Sequence, residues 1–321
     1  MASISIVIPS YNEGNNIDAL YKELKGVIKG WKETAEIIFV DDGSRDRSLE
    51  IIKGLNKKDK TVKALSFSRN FGHQTAVSAG IRFASGDAVI VMDGDLQDRP
   101  EELGQFISKW KEGYQVVYAV RRMKRKEGFI KKWASWGFYR LFSKMVSFDI
   151  PLDSGDFCLM DRAVVDNLNS LPESNRFVRG LRSWVGFRQV GVPVERALRT
   201  DGSPKYTFKK SLGLAANAIV SFSYIPLNYI AYFGFLVALF TFFASFFVII
   251  HRIIGFKVFG YSPQDLPGYA SLMLAILFLG GVQLLALGIV GQYIGRIYDE
   301  TKHRPLFVVK ERVGFKDKGL K

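Results

Sequence analysis

Ala88-Val89-Ile90-Val91-Met92-Asp93-Gly94-Asp95-Leu96-Gln97-Asp98-Arg99-Pro100 is an apolar run that stops on two aspartates. Five apolar residues in a row read as a strand buried on both faces. The segments on either side alternate in the same way. Ser3–Pro9, Glu36–Val40, Val62–Phe67 and Gln115–Val120 read as strands. Between them, Ile17, Leu20, Leu24, Val27 and Ile28 fall at helical spacing behind Asn15 and Asn16, which offer capping side chains. Asp46–Leu55 and Gln74–Ala84 also read as helices, and a proline at the first helical position opens Pro100–Lys111. Repeated β-α units predict an α/β fold, Rossmann-like, with a mostly parallel sheet and helices on both faces.

Ligands of such sheets bind beyond the carboxyl ends of the strands. The polar clusters of this chain fall at those ends. They are Tyr11, Asn12 and Glu13; Asp41 and Asp42; Ser68, Arg69 and Asn70; and Asp93 and Asp95. Together they predict one crevice. Two carboxylates and the amide of Gln97 suit Mg²⁺ or Mn²⁺, which take oxygen ligands and often share them with substrate phosphates. Gly94 lets a ligand come close to the backbone. No G-x-x-x-x-G-K-[ST] occurs, and the Gly43 region is not G-x-G-x-x-G, so NTPase and dinucleotide chemistry are disfavoured. His73 is read as a helix-start hydrogen-bonding residue, and Cys158, the single cysteine, as a small buried apolar residue.

The 321 residues are 48% hydrophobic and 24% charged, enough apolar content to exclude disorder. That content is uneven. No Asp, Glu, Lys or Arg occurs in 211–250 or in 266–295. Tyr224–Ile250 and Ser271–Ile294 are each long enough for a bilayer crossing of about 20 residues. The net charge of +14 is concentrated too. Arg121–Asp149 and Arg176–Lys210 each hold nine basic and two acidic residues. Beside membrane segments, such stripes point to anionic lipid or a phosphate-bearing substrate rather than nucleic acid. Basic residues flank the outer ends of the two spans, which predicts that both termini face the cytoplasm. Phe129–Val146 and Thr207–Ser223 read as interfacial helices. Gly281, Gly288, Gly291 and Gly295 predict close helix contact within a hairpin or between subunits of a homo-oligomer. Met1–Pro9 lacks the charged leader and the apolar length of a signal peptide.

Four motifs carry a family resemblance. Val7-Ile8-Pro9-Ser10-Tyr11-Asn12-Glu13, Val40-Asp41-Asp42-Gly43-Ser44, Arg69-Asn70-Phe71-Gly72 and Asp93-Gly94-Asp95-Leu96-Gln97-Asp98-Arg99-Pro100 look like family 2 glycosyltransferases of the GT-A fold. Leu152-Asp153-Ser154-Gly155-Asp156-Phe157 and the paired C-terminal spans make the chain similar to polyisoprenyl-phosphate glycosyltransferases of the bactoprenol glucosyltransferase kind, with dolichol-phosphate mannose synthases as more distant relatives. The resemblance implies a GT-A domain at 1–206, an interfacial helix at 207–223, two transmembrane helices at 224–295 and a basic cytoplasmic tail at 296–321.

It also implies roles. Pro9, Tyr11, Glu13, Asp41 and Asp42 would hold the donor nucleoside, with Ser68, Asn70, Gln74, Asp93 and Gly94 completing the donor site. Asp93, Asp95 and Gln97 would hold the metal, Mg²⁺ or Mn²⁺. Asp95 and Asp156 would act at the reacting centre. Arg121, Arg199 and Lys205 would contact the acceptor phosphate. The implied reaction moves one glucose from UDP-glucose to a polyisoprenyl phosphate, with inversion, at the cytoplasmic face of a bacterial inner membrane. Alternatives are another donor such as GDP-mannose, or a non-catalytic membrane transport or scaffold protein that binds nucleotide-sugar. Arg182-Ser183-Trp184 is similar to the Q-x-x-R-W signature of processive synthases but lacks its Gln, which favours transfer of a single sugar.

Overall fold

The computed structural model describes residues 2–121, 154–195, 225–254 and 269–315. The chain forms two compact units, one of residues 1–213 with 303–321, the other of residues 214–302. The first is built on eight strands: β1 Ser3–Ser10, β2 Thr34–Asp41, β3 Val62–Phe67, β4 Ala88–Val91, β5 Val116–Arg121, β6 Ser154–Asp161, β7 Gln189–Val194 and β8 Val309–Val313. They make one sheet in the order β7-β5-β6-β4-β1-β2-β3-β8. β1, β2, β3 and β4 run parallel, as the repeated β-α units predict. β6 is antiparallel to β4 and to β5, and β8 is antiparallel to β3.

Helices cover both faces. On one, Ile17, Leu20 and Leu24 of α1 (Gly14–Ile28), Ile52 and Leu55 of α2 (Ser48–Lys58) and Leu103, Phe106 and Ile107 of α4 (Leu103–Lys111) bury against Ile4, Ile6 and Ile8. On the other lies α3 (His73–Phe83), flanked by α5 (Arg162–Ser170) and α6 (Val178–Trp184). Gly80 lets α3 sit close to the sheet, since a Cβ there would stand 2.1 Å from Cγ1 of Val7.

Two local expectations are corrected. Asn15 and Asn16 do not cap α1. They lie inside it, and the Gly14 N–H at its start donates to Oδ2 of Asp46 from the neighbouring loop at 3.0 Å. Residues 309–313, within the stretch read as a basic tail, form β8. Val309 and Val313 are half-buried while Lys310 and Arg312 point outward. This period-two alternation is hidden by the charges that dominate the segment's composition.

The second unit contains α7 (Ile225–Ile254) and α8 (Tyr269–Thr301). Among the described residues one stretch, Phe278–Thr301, is long and apolar enough to cross a membrane, and Leu227–Val237 is a shorter apolar stretch. Phe240, Phe242, Leu284 and Leu285 are each more than three-fifths exposed. Apolar surface of this extent marks contact with lipid or a partner. No described atom lies within 4 Å of where a Cβ would stand on Gly281, Gly288, Gly291 or Gly295. The expected interfacial helices and the residues Arg199 and Lys205 lie outside the described residues.

Candidate active site

Because β1 to β4 are parallel, their carboxyl ends share one edge of the sheet, and the four polar clusters collect there as expected. β6 enters that edge from the opposite direction. Its register pairs Cys158 with Val91, and two further residues along the same register place Asp156 opposite Asp93. Gly155, Asp156 and Phe157 line an open cleft with Asp93, Asp98, Arg99, Ala119, Val194 and Glu195. The backbone of Arg121, which ends β5, reaches the same edge.

The β2 end is a closed knot. Asp41 and Asp42 are 1% and 3% exposed. Asp41 accepts from the Ser66 hydroxyl at 2.7 Å and the Ser44 N–H at 3.0 Å. Asp42 accepts the N–H groups of Phe71 (2.6 Å) and Gly72 (2.9 Å). Burial pushes the Asp42 carboxyl above its ordinary value, although those two N–H groups pull the other way. Gly43 has φ +69°, and a Cβ there would meet the Arg69 carbonyl carbon at 2.6 Å, so no other residue fits. The β1 loop is fastened to this knot. Asn12 donates its N–H to Ser44 Oγ and accepts from the Arg45 N–H, and Glu13 donates its N–H to Ser48 Oγ. Tyr11 is left 39% exposed at the rim, while Pro9 is buried in β1.

The β4 end is different. Asp93 and Asp95 are half-buried. The Asp93 N–H donates to Asp98 Oδ2, and the Gln97 N–H donates to Asp95 Oδ1. Leu96 between them has φ +60°, a strained backbone for a residue with a branched side chain. A Cβ on Gly94 would meet only ordinary contacts, so packing within the chain does not demand this glycine.

Asp156 engages three side chains, those of His73, Gln74 and Arg179. Its Oδ2 lies 3.3 Å from Nε2 of His73 and 3.0 Å from Nε2 of Gln74, which donates to it. Its Oδ1 lies 3.3 Å from Nη2 of Arg179. Burial alone would raise its proton affinity, but His73, Arg179 and Arg182 overcome this and hold the carboxyl well below the usual range. His73 lies 3.7 Å from Asp93 as well, and despite burial its imidazole is held above its ordinary value by the two carboxylates. The expectation that His73 makes a helix-start hydrogen bond is therefore corrected. Gly72 caps α3 through its carbonyl, and the His73 ring joins Asp93 to Asp156. Gln74 is a strut, its oxygen accepting the Val178 N–H at 2.9 Å. Ser68 and Asn70 are exposed on the β3–α3 loop.

Sequence reading missed the arginines of α6. Arg179 and Arg182 are three apart, one helical turn, and so share a face. Arg182 is 1% exposed and sits over the Tyr118 ring at 5.4 Å. Arg176 donates to the Leu168 and Leu171 carbonyls at the end of α5. The reading of Arg176–Lys210 as a stripe that meets anionic lipid or a phosphate-bearing substrate is thus narrowed at Arg182, which is buried inside the domain. Cys158 is buried and free, as expected, and burial raises its thiol pKa.

A sequence model of glycosyl transferase family 2 matches residues 5–168. An uncharacterized glycosyltransferase of Bacillus subtilis is 46% identical over 98% of this chain and 96% of its own length. The bactoprenol glucosyl transferase of Shigella phage SfV is 42% identical over 96% of this chain and 98% of its own. Among solved structures, a mannosyltransferase from Pyrobaculum calidifontis in complex with GDP-Man and Mn²⁺ is 17% identical, covers 66% of this chain and 60% of that chain, and superposes with a TM-score of 0.47.

Proposed function

The chain belongs to glycosyl transferase family 2, and from that premise we propose that it moves one glucose from UDP-glucose to a polyisoprenyl phosphate such as undecaprenyl phosphate. The products are polyprenyl-phosphate β-glucose, with the anomeric centre inverted, and UDP. The observation that carries this reading is the meeting of Asp93, His73 and Asp156 at one cleft, in a chain 42% identical to a bactoprenol glucosyl transferase. The apolar stretch Phe278–Thr301 supports a membrane setting for a lipid acceptor. The proposal includes a two-helix hairpin of α7 and α8, both termini on the cytoplasmic side, and self-assembly into a homo-oligomer.

Asp93, Asp95 and Gln97 would hold Mg²⁺ or Mn²⁺. The donor set fits: it is all oxygen. Among the described residues no three His, Cys, Asp or Glu side chains form a complete cage, and an ion that shares substrate phosphates needs none. When bound, the ion offsets the charge that grows on the departing diphosphate. The β1 and β2 loops, with Tyr11 at their rim, would seat the nucleoside. Arg121, Arg199 and Lys205 would meet the acceptor phosphate.

An acceptor phosphate has a second pKa of about 6, so at neutral pH it is already a dianion and needs no base. Asp156, held below the ordinary carboxylate range, is a poor proton acceptor. Its charge instead orients the reactants and steadies positive charge developing on the sugar. The test incubates the purified protein with undecaprenyl phosphate and a panel of labelled UDP- and GDP-sugars, with and without chelator. Extractable lipid-linked glucose that is lost on chelation and in Asp95→Ala is expected. Label from a different sugar alone, or transfer untouched in Asp95→Ala, overturns the donor or the metal assignment respectively.

A further inference from the structure

The chain leaves the apolar helix α8 at Thr301 and enters β8 at Val309, on the outer edge of β3. The segment between carries Phe307. Its ring stacks on Phe67 at 5.2 Å with an interplanar angle of 15°, and Phe67 meets Phe71 edge-on at 5.7 Å. Beside it, the Val308 carbonyl accepts the Ser68 N–H at 3.0 Å. These contacts grip both ends of the β3–α3 loop, residues 68–72. Ser68, Arg69 and Asn70 are exposed, so the loop has little core of its own. The loop supplies the Phe71 and Gly72 N–H groups that hold Asp42, and it ends at His73, which faces Asp93 and Asp156.

β8 is itself well fastened. Glu311 pairs with Lys53 at 2.7 Å. Gly314, at φ +77°, packs where a Cβ would stand 2.5 Å from Asn56 Nδ2. An aromatic line, Phe307 to Phe67 to Phe71, therefore runs from the segment that joins α8 to β8 into the loop that aims His73.

We propose that Phe307 is a positioning residue. Through Phe67 and Phe71 it fixes the 68–72 loop, and with it the placement of His73 between Asp93 and Asp156, so the segment between the apolar helix and β8 is part of the site's support. Stacked and edge-on rings hold a preferred geometry that aliphatic contact does not impose. The activity arm of the test rests on the function proposed above; the exchange arm does not.

The full chain is compared with Phe307→Ala, Phe307→Tyr and Lys53→Ala. Lys53→Ala removes the Glu311 pair from β8, just after Phe307, without touching the ring line. In Phe307→Ala, amides of residues 68–76 are expected to exchange about tenfold faster or more, while those of β1 keep their rates. Sugar transfer is expected to lose about tenfold in kcat, with the acceptor KM unchanged. Phe307→Tyr restores both readouts. Lys53→Ala lowers Tm without the loss in kcat. Unchanged exchange at 68–76 in Phe307→Ala overturns the proposal. So does a Lys53→Ala variant that, at equal loss of Tm, loses as much kcat. If the wild type makes no lipid-linked product from any sugar, the proposed function fails and exchange alone decides the role of Phe307.

Discussion

Asp41 ends β2 with Asp42 directly after it, Asp93 follows β4 by two residues, and only β1 separates the two strands. In sequence both are acidic pairs after apolar runs. In the fold their surroundings are opposite. The β2 carboxylates are buried and accept from neutral N–H and hydroxyl groups of their own domain. The β4 carboxylates stay half-open, and the imidazole of His73 stands 3.7 Å from Asp93 and 3.3 Å from Asp156, across the antiparallel junction with β6. One pair is satisfied by backbone and braces loops. The other opens onto a cleft. The comparison teaches that what surrounds an acidic strand end is set by what a neighbouring strand brings to it, here the antiparallel β6.

The largest expected effect lies at the β6 side. Asp156→Asn keeps the shape and removes the charge, and transfer is expected to fall on the order of 10³-fold, about 4 kcal/mol. If Asp156 orients and stabilises, the loss is the same at every pH from 6 to 9. A variant whose rate climbs back toward wild type at high pH would instead identify Asp156 as a titrating base.

At the β2 side the expected effect is on stability. Asp42→Ala strands two backbone N–H donors, and a lost hydrogen bond to a charged group costs about 1.5–3 kcal/mol. Chemical denaturation should show a loss of about 2–3 kcal/mol. A variant as stable as wild type would mean that Asp42 is not a brace and would dissolve the contrast. Between the two regions stands Gln74, which ties Asp156 to Val178 of α6. Gln74→Leu is expected to cost about tenfold in transfer, or about 1.4 kcal/mol, with Tm nearly kept. An unchanged rate would show that Asp156 needs no strut.

Much of this was legible in the sequence, and the exceptions have physical causes. β1 to β4 and their helices declare themselves because each strand is a short segment rich in apolar residues and each helix repeats at helical spacing. The sequence marks Leu152–Phe157 as a motif and does not mark Ser154–Asp161 as the strand β6. Its apolar centre, Phe157 to Met160, is only four residues long and is buried on both faces, so it shows no alternation. Arg179 and Arg182 were legible only as charge, since composition does not say which way a guanidinium points. His73 looked like a helix terminus, which it is, but its partner Asp156 is 83 residues away and is delivered by a strand pairing that local pattern does not encode.

The smallest expected effect tests that pairing directly. Burial disfavours both charges, yet the Asp156 carboxyl is lowered from its reference of 3.8 and the His73 imidazole is raised from 6.5. A lowered carboxylate stabilises the fold above about pH 4 and loses that contribution as pH falls. A raised imidazole stabilises it below about pH 6.5 and loses that contribution as pH rises through its folded value. Their coupling should therefore be greatest between about pH 4 and 6.5 and fade on both sides. Because the His73 side chain is 40% exposed, solvent screening limits the coupling to about 1 kcal/mol or less. A double-mutant cycle of His73→Gln and Asp156→Asn, followed by denaturation across pH 3.5–8.5, measures it. A coupling flat in pH would make the contact a neutral hydrogen bond, and then the β4–β6 junction would owe its difference from the β2 knot to Arg179 alone.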